Sequence, residues 1–127
     1  MSNTETEGVR VTVKASFWPE RSAPDNNQWA FTYSVKVTNE GLRVATLRAR
    51  HWVITDANGR VEEVRGEGVV GKQPRLEAGE SFEYTSWAML RTPFGSMRGE
   101  YLMERQDGSK FEAKISEFAL TQPNALN

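Results

Sequence analysis

A glycine-rich segment in the middle of the chain, Gly66-Glu67-Gly68-Val69-Val70-Gly71, has the spacing G-x-G-x-x-G. In dinucleotide-binding proteins this spacing lets backbone N–H groups approach a pyrophosphate at the start of a helix. Arg65 and Lys72 flank the segment and add positive charge. The pattern therefore suggests an anion-binding site for phosphate, pyrophosphate or a nucleotide, formed by Arg65, Gly66, Gly68, Gly71 and Lys72.

The same glycines also have a purely conformational interpretation. Glycine is the residue that adopts positive φ at bulges and tight crossovers between strands. No helical pattern follows Gly71, so the helix dipole that assists an anion in nucleotide-binding folds is missing. The sequence favours the conformational interpretation, and the anion site is the alternative hypothesis.

Candidate metal and catalytic groups are few. The single histidine is His51, and the absence of cysteine excludes thiolate catalysis, disulfides and thiolate metal sites. Asp56 and Asn58 match the start of a calcium loop, but the later ligands do not follow, so a hairpin turn explains them better. Glu62 and Glu63 are neighbours on a strand and face opposite sides. We therefore predict no catalytic residue, no metal site and no cofactor.

Length and charge narrow the class of protein further. The 127 residues suffice for one domain, and 16 basic against 17 acidic residues give a net charge of −1. This balance does not favour nucleic acid or an anionic membrane as a partner. The polar N-terminus does not resemble a signal peptide, and no apolar run approaches the ~18 residues of a membrane span. We expect a cytoplasmic protein.

The dominant hydrophobic period is two, which is typical of half-buried strands. Turn signals such as Asn58-Gly59 and Asp107-Gly108 separate the alternating segments. About seven strands are predicted, over residues 9–17, 28–39, 46–55, 60–65, 81–88, 97–105 and 110–120. This pattern predicts an all-β, antiparallel β-sandwich of fibronectin type III or immunoglobulin-like type, with a small closed barrel as the alternative. The domain spans 9–121, between flexible termini 1–8 and 122–127.

Besides the glycine segment, the sequence indicates two further features, one on the third predicted strand and one around Trp87. On the third predicted strand, simple alternation places Arg48 and Arg50 on the face of Trp52, so these arginines must be paired or lie at strand ends if that face is buried.

Trp87 is out of phase with the inward-facing residues of its own strand. We therefore predict an apolar protein-docking patch, for which a small second core under a loop is the alternative. The patch comprises Trp87, Met89, Leu90, Pro93 and Phe94.

Short motifs along most of the chain resemble those of the ApaG family. They comprise Pro24-Asp25-Asn26, Phe31 and Tyr33, Trp52-Val53-Ile54-Thr55-Asp56, Asn58-Gly59, Val64, the segment Gly66–Gly71, Gln73-Pro74, Leu76, Gly79-Glu80, Phe82, Tyr84, Ser86, Thr92-Pro93, Gly95, Met97, Gly99 and Tyr101. The resemblance spans roughly residues 9–120. It implies a fibronectin type III-like sandwich in a bacterial, cytoplasmic protein, and no catalytic residues can be transferred from it.

The resemblance also implies a biological setting. ApaG proteins are often encoded beside a diadenosine tetraphosphate hydrolase, and the family is linked genetically to cobalt resistance and magnesium efflux. Related domains of eukaryotic F-box and polymerase-associated proteins resemble interaction modules. We therefore predict a non-enzymatic binding module with a protein partner. A phosphate or nucleotide sensor that uses Gly66–Gly71 is the alternative, and a role in divalent-cation homeostasis without a metal site is the third.

Overall fold

The computed structural model describes residues 1–123, so residues 124–127 of the predicted flexible C-terminus lie outside the described residues. The described part contains nine strands and two 3-10 turns, Pro19–Arg21 and Pro24–Asn26. The strands are β1 (Ser2–Thr6), β2 (Val9–Phe17), β3 (Trp29–Asn39), β4 (Ala45–Asp56), β5 (Val61–Glu67), β6 (Arg75–Leu76), β7 (Ser81–Leu90), β8 (Phe94–Arg105) and β9 (Lys110–Thr121). All seven predicted strands are present, and β1 and β6 are additional.

The strands form two antiparallel sheets. The first has the order β1-β2-β3-β7, and the second has the order β5-β4-β8-β9 with β6 added beside β4. Alternate residues of each strand face the opposite sheet and form one shared core, as in β-sandwiches generally. The predicted all-β antiparallel sandwich is therefore confirmed. Within residues 1–123, no helix is long and apolar enough to cross a bilayer.

The prediction of a flexible N-terminus over residues 1–8 is wrong for most of that segment. β1 pairs with β2 along its whole length, with Ser2 opposite Val13. Glu7 and Gly8 adopt φ of 49° and 87° and so form the tight turn between the two strands. The Glu7 carbonyl accepts a 2.7 Å hydrogen bond from buried Arg105. A polar edge strand shows no apolar alternation, because its stability comes mainly from backbone pairing.

The beginning of the predicted C-terminal tail is also attached to the domain. The Gln122 amide donates to the carbonyl of Pro93 over 2.9 Å. Its side-chain oxygen accepts a 3.0 Å hydrogen bond from the Trp29 indole N–H. The ordered chain therefore extends past Thr121, the predicted domain boundary, by at least one residue.

An aromatic group forms the middle of the core. Trp52 of β4 is 2% exposed. Its ring lies 5.2 Å from Tyr33 and 5.9 Å from Phe118, measured between centroids, and 6.2 Å from Tyr101. All three neighbours meet it in edge-to-face geometry, which is favourable for aromatic rings. Because Tyr33 belongs to the first sheet and the other two to the second, this cluster joins the sheets.

β4 contains a bulge that reverses its alternation. Leu47 pairs with Met103 and Ala49 with Leu102, so Arg48 is an extra residue without a partner on β8. Leu47 and Arg50 consequently face the interior, although their numbers differ in parity. Arg48 instead reaches Glu104, with 2.7 Å between Nε and Oε1. The prediction that Arg48 and Arg50 share the face of Trp52 is therefore wrong for Arg48.

The two long sides of the sandwich differ in whether the edge strands of the two sheets contact each other. On one side β1 and β9 lie against each other, and the Lys114 amide donates to the Thr6 hydroxyl over 3.1 Å. On the other side the outer strands are β5 and β7, and a groove separates them. The sandwich is therefore open along the β5–β7 side.

Substitution of Gly99 on β8 tests the close packing at the centre of the second sheet. A Cβ at this position would overlap the His51 carbonyl oxygen and lie 3.2 Å from Trp52 Cα, and both are backbone atoms that cannot move freely. We expect Gly99→Ala to lower the free energy of unfolding by ~2 kcal/mol. Urea denaturation followed by Trp fluorescence measures this.

Gly41→Ala is the matched control for this substitution. A Cβ on Gly41 meets nothing closer than 3.4 Å, which is ordinary contact. Its urea midpoint should stay near that of the wild type. Equal destabilisation by the two substitutions would contradict the packing described for β8.

Candidate functional site

The second half of the glycine segment forms a tight turn. The Val69 amide donates to the Lys72 carbonyl over 2.8 Å, and the Lys72 amide donates back over 2.9 Å. Between them Val70 and Gly71 adopt φ of 44° and 78°, as in a type I′ turn. The structure therefore brings Gly68, Gly71 and Lys72 together in a hairpin-like turn after β5.

The first two glycines allow close approaches. Gly68 has φ of 60°, and a Cβ there would overlap the Lys72 carbonyl oxygen. Its amide donates to the Arg48 carbonyl over 2.8 Å. A Cβ on Gly66 would lie 2.7 Å from the Arg50 guanidinium. Both positions thus have a conformational reason to be glycine.

The surroundings of the turn bear on the anion hypothesis, which stays a prediction. The amides of Gly68, Val69 and Lys72 already donate to backbone carbonyls, so they are not free for a phosphate. Arg65 lies on the outer face of the sheet, where its Nη2 is 3.5 Å from Glu63. Lys72 is exposed and has no ion pair within residues 1–123.

The predicted docking patch divides into two parts. Trp87 and Met89 lie on the outer face of β7, where their side chains are 56% and 38% exposed. Leu90 is only 3% exposed because it has the inward phase of β7, so its inclusion in the patch is wrong. Pro93 and Phe94 are half-buried.

Trp87 has an aromatic neighbour on its exposed side. The Trp18 ring contacts it edge-on at 6.4 Å, and the Arg21 guanidinium lies 5.5 Å from the centre of the Trp18 ring. Trp18 therefore has an aromatic contact with Trp87 and a cation–π contact with Arg21. The result is a small aromatic and cationic surface next to the free edge of β7.

A groove between β5 and β7 lies beside this surface, and we call it the β5–β7 groove. Its deep part has a volume of about 350 Å³. Its walls combine apolar side chains, among them Trp52, Ile54, Val64, Ala88 and Met97, with polar groups that include Glu62. Toward the loop end it continues into cavities of about 550 and 610 Å³ that share Met89, Arg60 and Arg91.

The inner end of the β5–β7 groove is polar. Arg50, Tyr33 and Ser86 line it, and behind them the hydroxyls of Tyr84 and Tyr101 are hydrogen-bonded to each other. Burial raises the pKa values of Tyr33 and Tyr84, and raises that of Tyr101 well above its ordinary value. All three hydroxyls are therefore neutral and keep their protons at physiological pH.

His51 lies on the outer face of the same sheet, between two carboxylates. Its Nδ1 is 2.9 Å from Glu100 Oε2, and its Nε2 is 2.7 Å from Glu63 Oε1. The hydrogen bond to His51 lowers the pKa of Glu63, and the charges of His51, Arg65 and Arg98 act in the same direction. Within residues 1–123 no group of three or more His, Cys, Asp or Glu side chains has the geometry to hold a metal ion.

Comparison with known proteins identifies the family. The family model described as the ApaG domain matches residues 19–105. The chain belongs to the ApaG family. It is 56% identical over 127 residues to "Protein ApaG" of Anaeromyxobacter dehalogenans (strain 2CP-C), with 100% of both chains covered. The corresponding protein of Ralstonia nicotianae is 53% identical over 119 residues, which cover 94% of this chain and 96% of that one.

A solved structure of an ApaG relative also agrees with this fold. The crystal structure assigned to the ApaA protein from Bordetella pertussis superimposes with a TM-score of 0.90 at 46% sequence identity. The match covers 95% of this chain and 98% of that chain. The names of these relatives state no catalytic activity and no ligand.

Sequence reasoning missed the polar inner end of the groove. The predicted face of Trp52 includes Arg50 correctly, but simple alternation also adds Arg48 and does not show that Tyr33 and Ser86 lie beside Arg50. The sequence contains a signal for the bulge in β4, because the apolar positions of this strand shift from odd numbers, as at Leu47, to even numbers, as at Trp52 and Ile54. A shift of phase within one strand predicts a bulge, and a bulge after Leu47 places Arg50 inside.

The two φ-positive glycines of the turn should respond differently to substitution. Gly68→Ala introduces both backbone strain and overlap with the Lys72 carbonyl, so we expect a loss of ~2 kcal/mol or more in unfolding free energy. Gly71→Asn places a residue that tolerates positive φ in open space, and should cost less than ~1 kcal/mol. Urea denaturation measures both; similar losses would contradict the described turn.

The ion pairs of Glu63 predict a pH dependence. Because its pKa lies below the ordinary 4.5 in the folded chain, the carboxylate stabilises the fold above that pH, and this contribution is lost as pH falls through the lowered value. Glu63→Gln should therefore lower the urea midpoint at about pH 7 and approach the wild type at about pH 3.

Glu112→Gln is the control on the same outer face. Among residues 1–123, its only ion pair is a 3.8 Å contact with Lys114. It should change the pH dependence of the urea midpoint less than Glu63→Gln does. A Glu63→Gln profile parallel to that of the wild type would refute the assigned role of the pair with His51.

Proposed function

We propose that this ApaG protein is a non-enzymatic interaction module that binds a protein partner along β7. The observation that supports this most is the exposure of Trp87 and Met89 beside a strand edge that has no partner among the described strands. Large exposed aromatic side chains are enriched in protein interfaces and cost little entropy when they become ordered. The β5–β7 groove next to them offers further apolar area.

The geometry of β7 suits an extended partner segment. As the outermost strand of the first sheet, it presents a row of backbone donors and acceptors on its free edge. An added strand would pair with these groups, and its alternate side chains would enter the β5–β7 groove. The link to cobalt and magnesium belongs to this proposal only indirectly, through the partner.

Substitution of the exposed pair tests the proposed surface. Proteins captured from a bacterial extract by the wild-type chain are identified by mass spectrometry, purified and titrated by calorimetry. We expect the double substitution Trp87→Ala, Met89→Ala to weaken binding at least tenfold. Its amide NMR spectrum should remain that of a folded sandwich, since both side chains lie outside the core.

Leu42→Ala is the matched control for loss of an exposed apolar side chain. Leu42 is 94% exposed and follows the end of β3 that lies far from Trp87. It should bind the partner like the wild type. Unchanged binding by the double variant would overturn the proposed surface.

The anion-sensor alternative is tested on the same labelled protein. Titration with pyrophosphate and diadenosine tetraphosphate should leave the amides of residues 65–72 unshifted if the glycine turn is only conformational. Saturable shifts confined to those residues, removed by Lys72→Ala, would support the anion sensor instead.

A further inference from the structure

Arg50 is a half-buried cation without an acidic partner among residues 1–123. Its Nη1 donates to the carbonyls of Glu67 and Gly68, each over 3.0 Å. No described residue accepts a hydrogen bond from its Nε or Nη2. A guanidinium carries five N–H groups, which carboxylates, carbonyls or water normally satisfy. The N–H of Nε and the two N–H of Nη2 therefore remain without a protein acceptor at the inner end of the β5–β7 groove.

Hydroxyl groups near Arg50 can donate hydrogen bonds to the same opening. Tyr84 and Tyr101 share one hydrogen bond but carry two hydroxyl protons. Only one of these protons can lie between the two oxygens, so the other needs a further acceptor. Tyr33 and Ser86, cross-strand partners on β3 and β7, add two more hydroxyls at the same place. The inner end thus combines the unpaired N–H groups of Arg50 with four hydroxyls, each of which can donate as well as accept.

The acidic residues of the groove do not supply the missing acceptor. Glu62 lines the groove, but it pairs in register with Ile54, four residues along β4 from Arg50. At about 3.3 Å per residue this places it roughly 13 Å away. Asp56, farther along, accepts the amides of Asn58 and Arg60 with Oδ1. The donors at the inner end therefore face an opening without a carboxylate.

The opposite end of the groove also carries unpaired positive charge. Arg60 and Arg91 are exposed, line the same cavities as Met89, and form no ion pair within the described chain. Arg91 lies five residues after Ser86 of β7, which corresponds to about 17 Å along an extended strand. Between the two ends the walls combine apolar side chains such as Ile54 and Val64 with Glu62. Unpaired arginines therefore lie at both ends of the groove, and Asp56 and Glu62 also line its loop end.

We infer that the inner end of the β5–β7 groove binds a carboxylate, and that its source is an acidic side chain of an extended peptide laid along β7. Arg50 would hold the carboxylate through Nε and Nη2, which suits the planar fork of a guanidinium. A tyrosine hydroxyl would donate from the other side. A second acidic residue about six positions along would meet Arg60 and Arg91, with apolar side chains between.

This inference rests on the proposed function, because it names the chemistry of the partner that β7 receives. Charge complementarity favours an acidic peptide over other occupants. The alternating side chains of an extended segment match the apolar walls, and its backbone matches the free edge of β7. A free small carboxylate would use the inner end only and would leave the rest of the groove uncovered.

The test uses a blocked seven-residue peptide, acetyl-Glu-Ser-Val-Ser-Val-Ser-Glu-amide, in which both Glu and the two Val share one face of an extended chain. Its isostere with Gln at both ends is the matched peptide. Both are titrated into the full-length labelled protein while the Arg50 Nε–Hε resonance and the β7 amides are followed. We expect the acidic peptide to bind about tenfold tighter or more than the isostere. It should shift Arg50 Nε–Hε and the amides of residues 84–90 together.

Two variants of equal charge change complete the test. Arg50→Gln should remove the preference for the acidic peptide, whereas Arg98→Gln, on the exposed outer face of β8, should retain it. Tyr84→Phe should reduce the preference while it keeps the charge. Because Arg50→Gln also loses two hydrogen bonds to carbonyls, its fold is checked by its amide spectrum. If it unfolds, the Arg50 Nε–Hε shift in the wild type and the Tyr84→Phe result decide.

Three results would overturn the inference. The first is equal binding of the acidic peptide and its isostere. The second is equal loss in Arg50→Gln and Arg98→Gln, which would indicate non-specific charge attraction. The third is a shift of Arg50 by acetate or inorganic phosphate while the peptide leaves the β7 amides unchanged, which would indicate a small-anion site. If a captured partner depends on Trp87 but not on Arg50, only the carboxylate inference fails and the proposed function stands.

Discussion

The bulge at Arg48 is the constraint on which most of this molecule depends. β4 is the central strand of the second sheet and pairs with β5, β6 and β8, so its phase sets what the whole sheet presents to the core. One extra residue lets Leu47 and Trp52 both face inward. The same residue turns Arg50 toward the interior. A guanidinium then has to be accommodated at the sandwich edge, which requires Gly66 beside it and the carbonyls of Glu67 and Gly68 around it.

The same G-x-G-x-x-G spacing can have different structural roles in different folds. In dinucleotide-binding folds its glycines bring backbone amides to a pyrophosphate at a helix start. Here Gly66 makes room for a side chain, Gly68 makes room for a carbonyl, and Gly71 completes a turn with positive φ. Several amides of the segment are already used by the backbone. The spacing alone does not carry the chemistry, because the chemistry requires the strand and helix that usually surround it.

The asymmetry of the sandwich concentrates its unpaired groups on one side. The β1–β9 side is closed by contacts between the sheets, and buried Arg105 holds the β1–β2 turn and the Arg43 carbonyl there. The β5–β7 side has two strand edges, a groove with both apolar and polar walls, an exposed Trp87 and a half-buried Arg50. Stability is therefore supplied by one side and by the core. The other side is free to keep groups whose hydrogen bonds are incomplete, which is where binding is expected.

The amino-acid sequence by itself determined the architecture, because alternation with period two and turn residues such as Asn58-Gly59 are local signals. It also determined that Trp87 and Met89 point outward, since their phase on β7 is opposite to that of Phe82 and Tyr84. The same alternation puts Leu90 in phase with Phe82 and Tyr84 and so predicts that it faces inward, whereas polar β1 has no apolar pattern that would reveal it. Only the tertiary structure decided which arginine of β4 faces inward and which hydroxyls meet it. Those contacts join strands up to about 50 residues apart and depend on a register shift of one residue, whose effect on geometry is not local.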